Sequence, residues 1–161
     1  MIDPVDWARI RRFGQRTPGV TYVARPGAYA VIFDSRGRIA VIQTPRGHFL
    51  PGGGAEPDES AEVALTREVA EETGRQIVIR RRLGEAVEFV FAEKEGYFEK
   101  RCVFFAGTFG ADTGAALEAD HILLWLEPAA AAARMGHASQ NWAVRQATAS
   151  TANPQTNSRP G

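Results

Sequence analysis

Three carboxylates near the end of one predicted helix have a spacing suited to chemistry. Ser60 is a good helix N-cap and Gly74 a common helix stop, so the intervening segment is predicted to be helical. On that helix Glu68, Glu71 and Glu72 share an arc of roughly 100°, and this arc overlaps the apolar stripe. A merely solvated acidic face would lie opposite the stripe, so the overlap needs an explanation.

The acidic arc works against helix stability unless something binds it. Glu68 and Glu72 are like charges four residues apart, which costs roughly 0.2–0.5 kcal/mol. Anions in the last helical turn oppose the helix dipole and cost roughly 0.3–1 kcal/mol. A hard cation such as Mg²⁺ takes carboxylate oxygens and retains waters for substrate phosphate, so it would reverse both penalties. The helix pattern alone supports a solvated acidic helix equally well.

A glycine-rich segment, residues 46–54, shifts that balance towards ligand binding. Glycines let the backbone approach a ligand closely and offer its own amides and carbonyls. We predict a shaped loop here, with no regular secondary structure. Arg67 lies between the carboxylates, and its planar fork suits a bidentate pair with one of them. Loop and helix together predict a metal on one side and a phosphate on the other.

The spacing of these residues resembles the box motif of the Nudix hydrolases, the MutT-like family. The matching positions are Gly53, Glu59 and the run REVAEETG at 67–74, preceded by the lead-in LPGG at 50–53. One position departs, because Arg75 stands where the family has an aliphatic residue. We expect the Arg75 stem to cover apolar surface, with Ile77 taking over the packing.

The resemblance implies an α/β fold, a Nudix-type α/β/α sandwich with a mixed β-sheet and a loop–helix–loop motif. It implies hydrolysis of a nucleoside diphosphate linked to another group, with Mg²⁺ or Mn²⁺ as cofactor and water attacking phosphorus. We assign this domain to residues 1–147 and a flexible C-terminal tail to 148–161.

Carried over residue by residue, the resemblance also implies roles. Glu71 and Glu72 would bind metal, and Glu68 would bind metal or activate water. Gly52 would offer its carbonyl to the metal, while Glu59 and Arg67 would pair and hold the loop against the helix.

A further carboxylate often lies beyond the box in this family. Glu118 is the first candidate here, followed by Asp120. The rival candidates lie in a predicted hairpin and are Glu93, Glu95 and Glu99.

Candidate substrate contacts lie outside the helix. Arg25 and Arg46 are candidates for phosphate binding, and Phe49, Tyr97 and Phe98 are candidates for stacking on a base. An ordinary surface or packing role remains the alternative for each. Gly53 would permit close approach of the substrate. The proline of ADP-ribose hydrolases and the tyrosine of dinucleoside-polyphosphate hydrolases are missing from 89–92, which favours a nucleoside triphosphate or a related small nucleotide.

The main functional alternative is a Nudix-fold sensor that binds a nucleotide without cleaving it. Such members usually lose box carboxylates, and this sequence has all of them. An RNA-cap hydrolase is disfavoured because no RNA-binding segment is apparent.

The elements predicted to position the site are strands interleaved with helices. A turn at 35–38 predicts a hairpin between strands 28–34 and 39–44. A turn at 93–96 predicts a second hairpin, between strands 85–92 and 100–109. The other predictions are strands at 76–82 and 121–126, a loop at 110–116, and helices from Pro128 and over 137–147.

Composition excludes several classes of protein. The 161 residues carry 19 basic and 19 acidic side chains, and a net charge of zero disfavours binding to a DNA or RNA polymer. The single cysteine, Cys102, excludes an internal disulfide. No apolar stretch approaches the ~18 residues of a membrane span, and the N-terminus lacks a signal-peptide core. We expect a cytoplasmic protein without a membrane partner, and the resemblance favours a homodimer.

Overall fold

The computed structural model describes residues 5–115 and 117–151. The strands are β1 (Arg11–Phe13), β2 (Val23–Ile32), β3 (Ile39–Thr44), β4 (Gly47–Phe49), β5 (Gly52–Gly54), β6 (Arg75–Ala92), β7 (Gly96–Asp112) and β8 (Ile122–Leu126). The helices are α1 (Ala61–Thr73), α2 (Pro128–Arg134) and α3 (Ala138–Thr151).

The strands form two sheets. The larger sheet has the order β1-β6-β7-β2-β5 and is mixed, since β1 runs parallel to β6 and β2 parallel to β7 while the other neighbours are antiparallel. The smaller sheet has the order β4-β3-β8 and is antiparallel. The mixed sheet confirms the predicted α/β class.

Alternation along β2 explains the layers. Ala30 and Ile32 pack in one buried cluster with Leu65 of α1, whereas Val31 packs in a second cluster with Val144 of α3. Successive strand side chains point to opposite faces, so each face of the sheet buries its own helix. Helices on both faces confirm the predicted sandwich.

The helix that carries the carboxylates forms as predicted. The Ser60 side chain accepts a hydrogen bond from the Val63 amide, which caps the N-terminus. Gly74 adopts the left-handed conformation at φ 67° and ends the helix. Leu65 and Val69 are fully buried, so the apolar stripe is the face that docks on the sheet.

The predicted hairpin at 28–44 is wrong in its pairing. The turn forms, with hydrogen bonds between Asp34 and Arg38, and a single bridge joins Phe33 to Ile39. Beyond it β2 pairs with β7 and β3 pairs with β8, in different sheets. The ten-residue register with β7 offers β2 many more backbone hydrogen bonds than the turn would.

The second predicted hairpin is confirmed and is longer than expected. Strands predicted at 76–82 and 85–92 form the single strand β6, whose register shifts beside Gly84. Its partner β7 extends from Gly96 to Asp112, so the predicted loop at 110–116 begins as strand.

The prediction of no regular structure in the glycine-rich segment is also wrong. Within it, β4 pairs with β3 and β5 pairs with β2, Gly53 lying opposite Ala28. Strand pairing uses backbone groups, which glycine retains. At Gly52, φ is 139° and a Cβ would overlap the carbonyl oxygen of Ala28, so only glycine suits this close approach.

The C-terminal helix corrects the boundary of the predicted tail. Helix α3 continues through residues 148–151, which were assigned to the tail, and the Thr148 hydroxyl donates to the Val144 carbonyl at 2.8 Å. Ala147 is fully buried and anchors this last part of the helix. The rest of the predicted tail lies outside the described residues. Among the described residues, no helix is long and apolar enough to cross a membrane.

Candidate active site

Arg67 is the centre of the acidic cluster. Its Nε and Nη2 donate to the two carboxylate oxygens of Glu59, each at 2.8 Å. Nη1 donates to Glu68 at 2.9 Å and to Glu71 at 3.3 Å, and Nη2 also donates to the Gly54 carbonyl at 3.0 Å. The side chains of Arg67 and Glu59 thus form the predicted bidentate pair, and they join the loop to the helix.

Hydrogen bonding fixes the charge of Glu59. The bonds from Arg67, together with the backbone amide of Glu56, lower the pKa of Glu59 to about 2. The pair therefore stays ionised at all physiological pH values.

Glu72 is the most buried of the three helix carboxylates, with a side chain that is 10% exposed. Its Oε1 accepts a hydrogen bond from the Gly52 amide at 2.8 Å. Burial raises the pKa of Glu72 to about 8, and the negative charges of Glu68, Glu118 and Glu71 add to the rise, while the Gly52 hydrogen bond opposes it. An ionised Glu72 therefore needs a nearby positive charge.

Glu68 and Glu71 complete the cluster on the same face of α1. The Glu68 side chain packs so closely on Gly53 that a Cβ there would overlap its carboxyl group. Burial raises the pKa of Glu68, and the ion pair with Arg67 opposes this rise. Glu71 is about half exposed. The donor set fits a hard divalent cation, which prefers oxygen ligands and would offset the crowding of negative charge.

A second acidic group approaches Glu72 from the segment before β8. The Nδ1 atom of His121 lies 2.8 Å from Glu118 and 3.0 Å from Asp120, and its Nε2 lies 3.9 Å from Glu72. The three residues of this segment have ligand atoms within 4.8 Å of one another. The tertiary structure thus brings Glu118 and Asp120, the predicted extra carboxylates, close to the end of α1.

A cavity of about 580 Å³ opens beside Glu72. Gly52 of β5 and Glu72 of α1 are among the residues that line it. Pockets of this size accommodate small-molecule ligands. Of the predicted substrate contacts, Arg25, Arg46 and Phe49 line the cavity.

Arg25 has a partner inside the cavity wall. Its Nη2 donates to Glu95 at 2.8 Å, and its guanidinium lies 3.4 Å from the ring centroid of Phe98. Lys100 also lines the cavity and adds a second positive charge. Glu95, a rival for the extra metal ligand, is thus engaged with an arginine.

Tyr97 is not among the residues that line the cavity. Its ring packs on Phe91 and Tyr22, with centroids 4.7 and 5.5 Å away. The reason is strand alternation, since β7 turns the neighbouring Phe98 towards the cavity and Tyr97 away from it. Glu99, another rival, pairs with Arg101 at 2.6 Å, and Glu93 lies exposed at the hairpin turn.

Arg75, which stands where the family has an aliphatic residue, packs on apolar surface as expected. Its guanidinium lies 5.3 Å from the Phe109 ring centroid and donates to the Gly110 carbonyl at 3.1 Å. Ile77 packs on the buried cluster beneath α1.

Several residues of the cavity wall were not predicted from the sequence. His121, Lys100 and His137 were given no site role, although all three line the cavity, and neither was the buried Glu88. One signal was available for Glu88, because it interrupts the buried face of a strand between Ala86 and Val90. The others depend on contacts between distant segments.

Comparison with known proteins identifies one family match. A family model described as NUDIX domain matches residues 23–146. Comparison with curated proteins gives no match.

Several solved structures share the fold. The MutT protein from Methanosarcina mazei Go1 has a TM-score of 0.65 and 21% identity, over 84% of this chain and 100% of that chain. A NUDIX hydrolase from Nitrosomonas europaea has a TM-score of 0.64 and 21% identity, over 86% and 97% of the two chains. A C. elegans Ap4A hydrolase has a TM-score of 0.62 and 21% identity, over 80% and 98%.

Proposed function

The chain belongs to the Nudix family of pyrophosphohydrolases, and from this premise we propose that it cleaves the pyrophosphate bond of a small nucleotide with Mg²⁺ or Mn²⁺ as cofactor. A nucleoside triphosphate is the first candidate substrate. The observation that carries the proposal is the complete carboxylate cluster of α1 at the border of a cavity that also contains Arg25 and Lys100.

The residues that would hold the metal are Glu68, Glu71 and Glu72, with the Gly52 carbonyl as a further oxygen. A divalent cation supplies charge neutralisation of the pyrophosphate and activation of water. Glu68 and Glu118 are the candidates for accepting the proton of the attacking water. The Glu59–Arg67 pair positions the loop relative to the helix carboxylates, because it holds the loop at a fixed distance from the helix.

The cavity offers separate surfaces for the other parts of a nucleotide. Arg25, Arg46 and Lys100 carry the positive charge that a polyphosphate requires. Phe49 offers a ring face on which a base can pack, whereas the Phe98 ring is covered by the Arg25 guanidinium. The Glu95 carboxylate already holds Arg25 in place, at 2.8 Å.

The decisive experiment is a panel of dNTPs, damaged dNTPs, nucleotide sugars and dinucleotides, assayed with Mg²⁺ and with Mn²⁺ by chromatographic separation of the nucleotide products. The variants Glu71→Gln and Glu72→Gln remove one charge each, and we expect loss of at least about 100-fold in kcat. The matched control is Glu62→Gln, which makes the same replacement of a carboxylate by a carboxamide at an exposed position of the same helix. This variant should retain full activity. Near-normal turnover in both site variants would remove the metal assignment.

The alternative is a sensor that binds a nucleotide without cleaving it. It would give saturable nucleotide binding in the presence of Mg²⁺ and no released product with any member of the panel. The intact carboxylate cluster argues for the enzyme.

We further propose a homodimer in the cytoplasm. Light scattering would distinguish a dimer from the monomer mass of 17.5 kDa. Fractionation of the source cells would test the compartment.

A further inference from the structure

Glu88 and His137 form a pair in the cavity wall that the proposed chemistry leaves unused. Glu88 is 7% exposed, and its Oε2 lies 3.0 Å from His137 Nδ1. Its Oε1 accepts the Ser139 amide at 2.8 Å. Both oxygens of a buried carboxylate are therefore committed to holding the segment that carries His137.

The hydrogen-bonding pattern fixes which ring nitrogen is free. Burial opposes ionisation of Glu88, but hydrogen bonds from His137 and Ser139 outweigh it and lower its pKa to about 2. An ionised carboxylate only accepts, so Nδ1 of His137 must carry the proton. Nε2 is left, and among the described residues it has no protein partner. The ring itself lines the cavity.

The sheet order places His137 away from the carboxylate cluster. Glu88 lies on β6, whereas Gly52 lies on β5, and strands β7 and β2 run between them. With neighbouring strands about 4.8 Å apart, the offset across the sheet is roughly 14 Å. The positions are also displaced along the strands, because Gly52 pairs with Tyr29 of β2 whereas the row of Glu88 meets β2 at Arg25. Lys100 on β7 is in register with both Glu88 and Arg25. The cavity thus runs from the carboxylates, past two cations, to the histidine.

The wall around His137 is built as one unit with a neighbouring aromatic ring. The Phe49 ring centroid lies 5.6 Å from that of His137. The Oε1 atom of Gln140 accepts a hydrogen bond from the Leu50 amide at 2.7 Å, and the Gly136 amide donates to the His48 carbonyl oxygen at 3.4 Å. These bonds hold β4 against the start of α3, so ring and imidazole have a fixed relative position.

We propose that His137, oriented by Glu88, hydrogen bonds the edge of the substrate nucleobase while the Phe49 ring packs against it. The inference rests on the proposed function, because the phosphates are placed at the carboxylate and cationic end. With Nδ1 committed to Glu88, Nε2 is the ring nitrogen available to a polar atom on the edge of a base. His137 is thus a specificity-determining residue, and Glu88 is a positioning residue.

The first test observes His137 directly. In ¹⁵N NMR of the full chain, titration with each of the four deoxynucleoside monophosphates should shift the Nε2 resonance of His137 for at least one of them. Inorganic pyrophosphate should leave that resonance in place. An equal shift with pyrophosphate, or no shift with any monophosphate, would overturn the proposal.

The second test separates binding from chemistry. For the triphosphate turned over fastest, His137→Phe and Glu88→Gln should raise KM about 10-fold, the value of one lost hydrogen bond, with kcat within about 3-fold. Arg145→Lys is the matched control and should leave both constants unchanged, because Arg145 is an exposed residue of α3 that is not among the cavity-lining residues. An unchanged KM for His137→Phe, with a folded protein by circular dichroism, would also overturn the proposal.

The two proposals fail separately. A chain that hydrolyses no nucleotide but shows the His137 shift with a monophosphate would retain this inference and lose the enzymatic one. An active enzyme whose His137 resonance does not shift with any monophosphate would retain the enzymatic proposal and lose this inference.

Discussion

The backbone amide of Gly52 donates to Glu72 Oε1 at 2.8 Å, joining the glycine strand β5 to the last turn of α1. The bond exists because Gly52 adopts φ 139° and packs directly on the backbone of Ala28. A carboxylate and a strand 20 residues apart in sequence thereby form one corner of the cavity.

Gly52→Ala should therefore damage both stability and the site. The new Cβ would overlap the Ala28 carbonyl in a backbone region that L residues avoid, at a cost on the order of 1–3 kcal/mol. Gly54→Ala is the control for stability, since the nearest atom to its Cβ is 3.9 Å away and its φ is not positive. Urea unfolding would measure the difference, and equal stabilities for the two variants would contradict the close approach.

Glu72 should make the metal-free protein less stable as pH rises. A folded-state pKa raised from 4.5 to about 8 means that the folded state retains a proton that the unfolded chain has lost. The stabilisation is fully present below pH 4.5 and disappears as pH increases to about 8, at about 1.4 kcal/mol per unit of pKa.

Thermal unfolding in EDTA at pH 5.5 and pH 8 would check this effect. Glu72→Gln should reduce the pH dependence, and Mg²⁺ added at pH 8 should raise the wild-type Tm more than that of the variant. A wild-type Tm that is indifferent to Mg²⁺ at pH 8 would count against a cation at Glu72.

Arg67→Lys should lower activity although it retains the charge. Lysine has no fork with which to bind both oxygens of Glu59 and reach Glu68 as well. Loss of such a supporting contact typically costs about 10–100-fold in activity or metal affinity. Arg36→Lys, in an exposed turn, is the control. Steady-state kinetics over a range of Mg²⁺ concentrations would measure the loss, and wild-type values for Arg67→Lys would exclude a positioning role.

Glu88 should stabilise the protein at neutral pH and lose this effect in acid. Its folded-state pKa of about 2 lies below the ordinary value of 4.5, so its stabilisation is present above pH 4.5 and is lost as pH falls towards 2. The contribution at neutral pH is on the order of 3 kcal/mol. Urea unfolding at pH 6 and pH 3 should show wild type and Glu88→Gln converging at the lower pH. Glu62→Gln changes an exposed side chain, so its free energy of unfolding should show the same change between the two pH values as that of the wild type.

Prediction from sequence succeeded where the determining contacts are local. The ends of α1 depend on Ser60 and Gly74, which act within a few residues of themselves. The bidentate pair of Arg67 with Glu59 joins residues eight positions apart in the motif. It failed at the glycine segment, because extended pairing of β5 requires a partner strand that begins about 30 residues earlier.

The same limit explains the cavity wall. Phe98 and Tyr97 look alike in the sequence, and only the register of β7 decides which ring faces the cavity. His137 looked like an ordinary helix-opening histidine until Glu88, on a distant strand, gave it a fixed orientation.

By itself the sequence determined the acidic helix, its caps and the spacing of its carboxylates, because helix periodicity and capping depend on neighbours along the chain. Only the tertiary structure decided which strands pair and which side chains face the cavity beyond Glu72. Backbone hydrogen bonding is nearly the same for every residue, so strand partners are selected by the packing of the whole domain. The carboxylate cluster at the end of α1 is therefore encoded in one motif, whereas the rest of the cavity wall is assembled from β2, β4, β6, β7 and the segment that precedes α3.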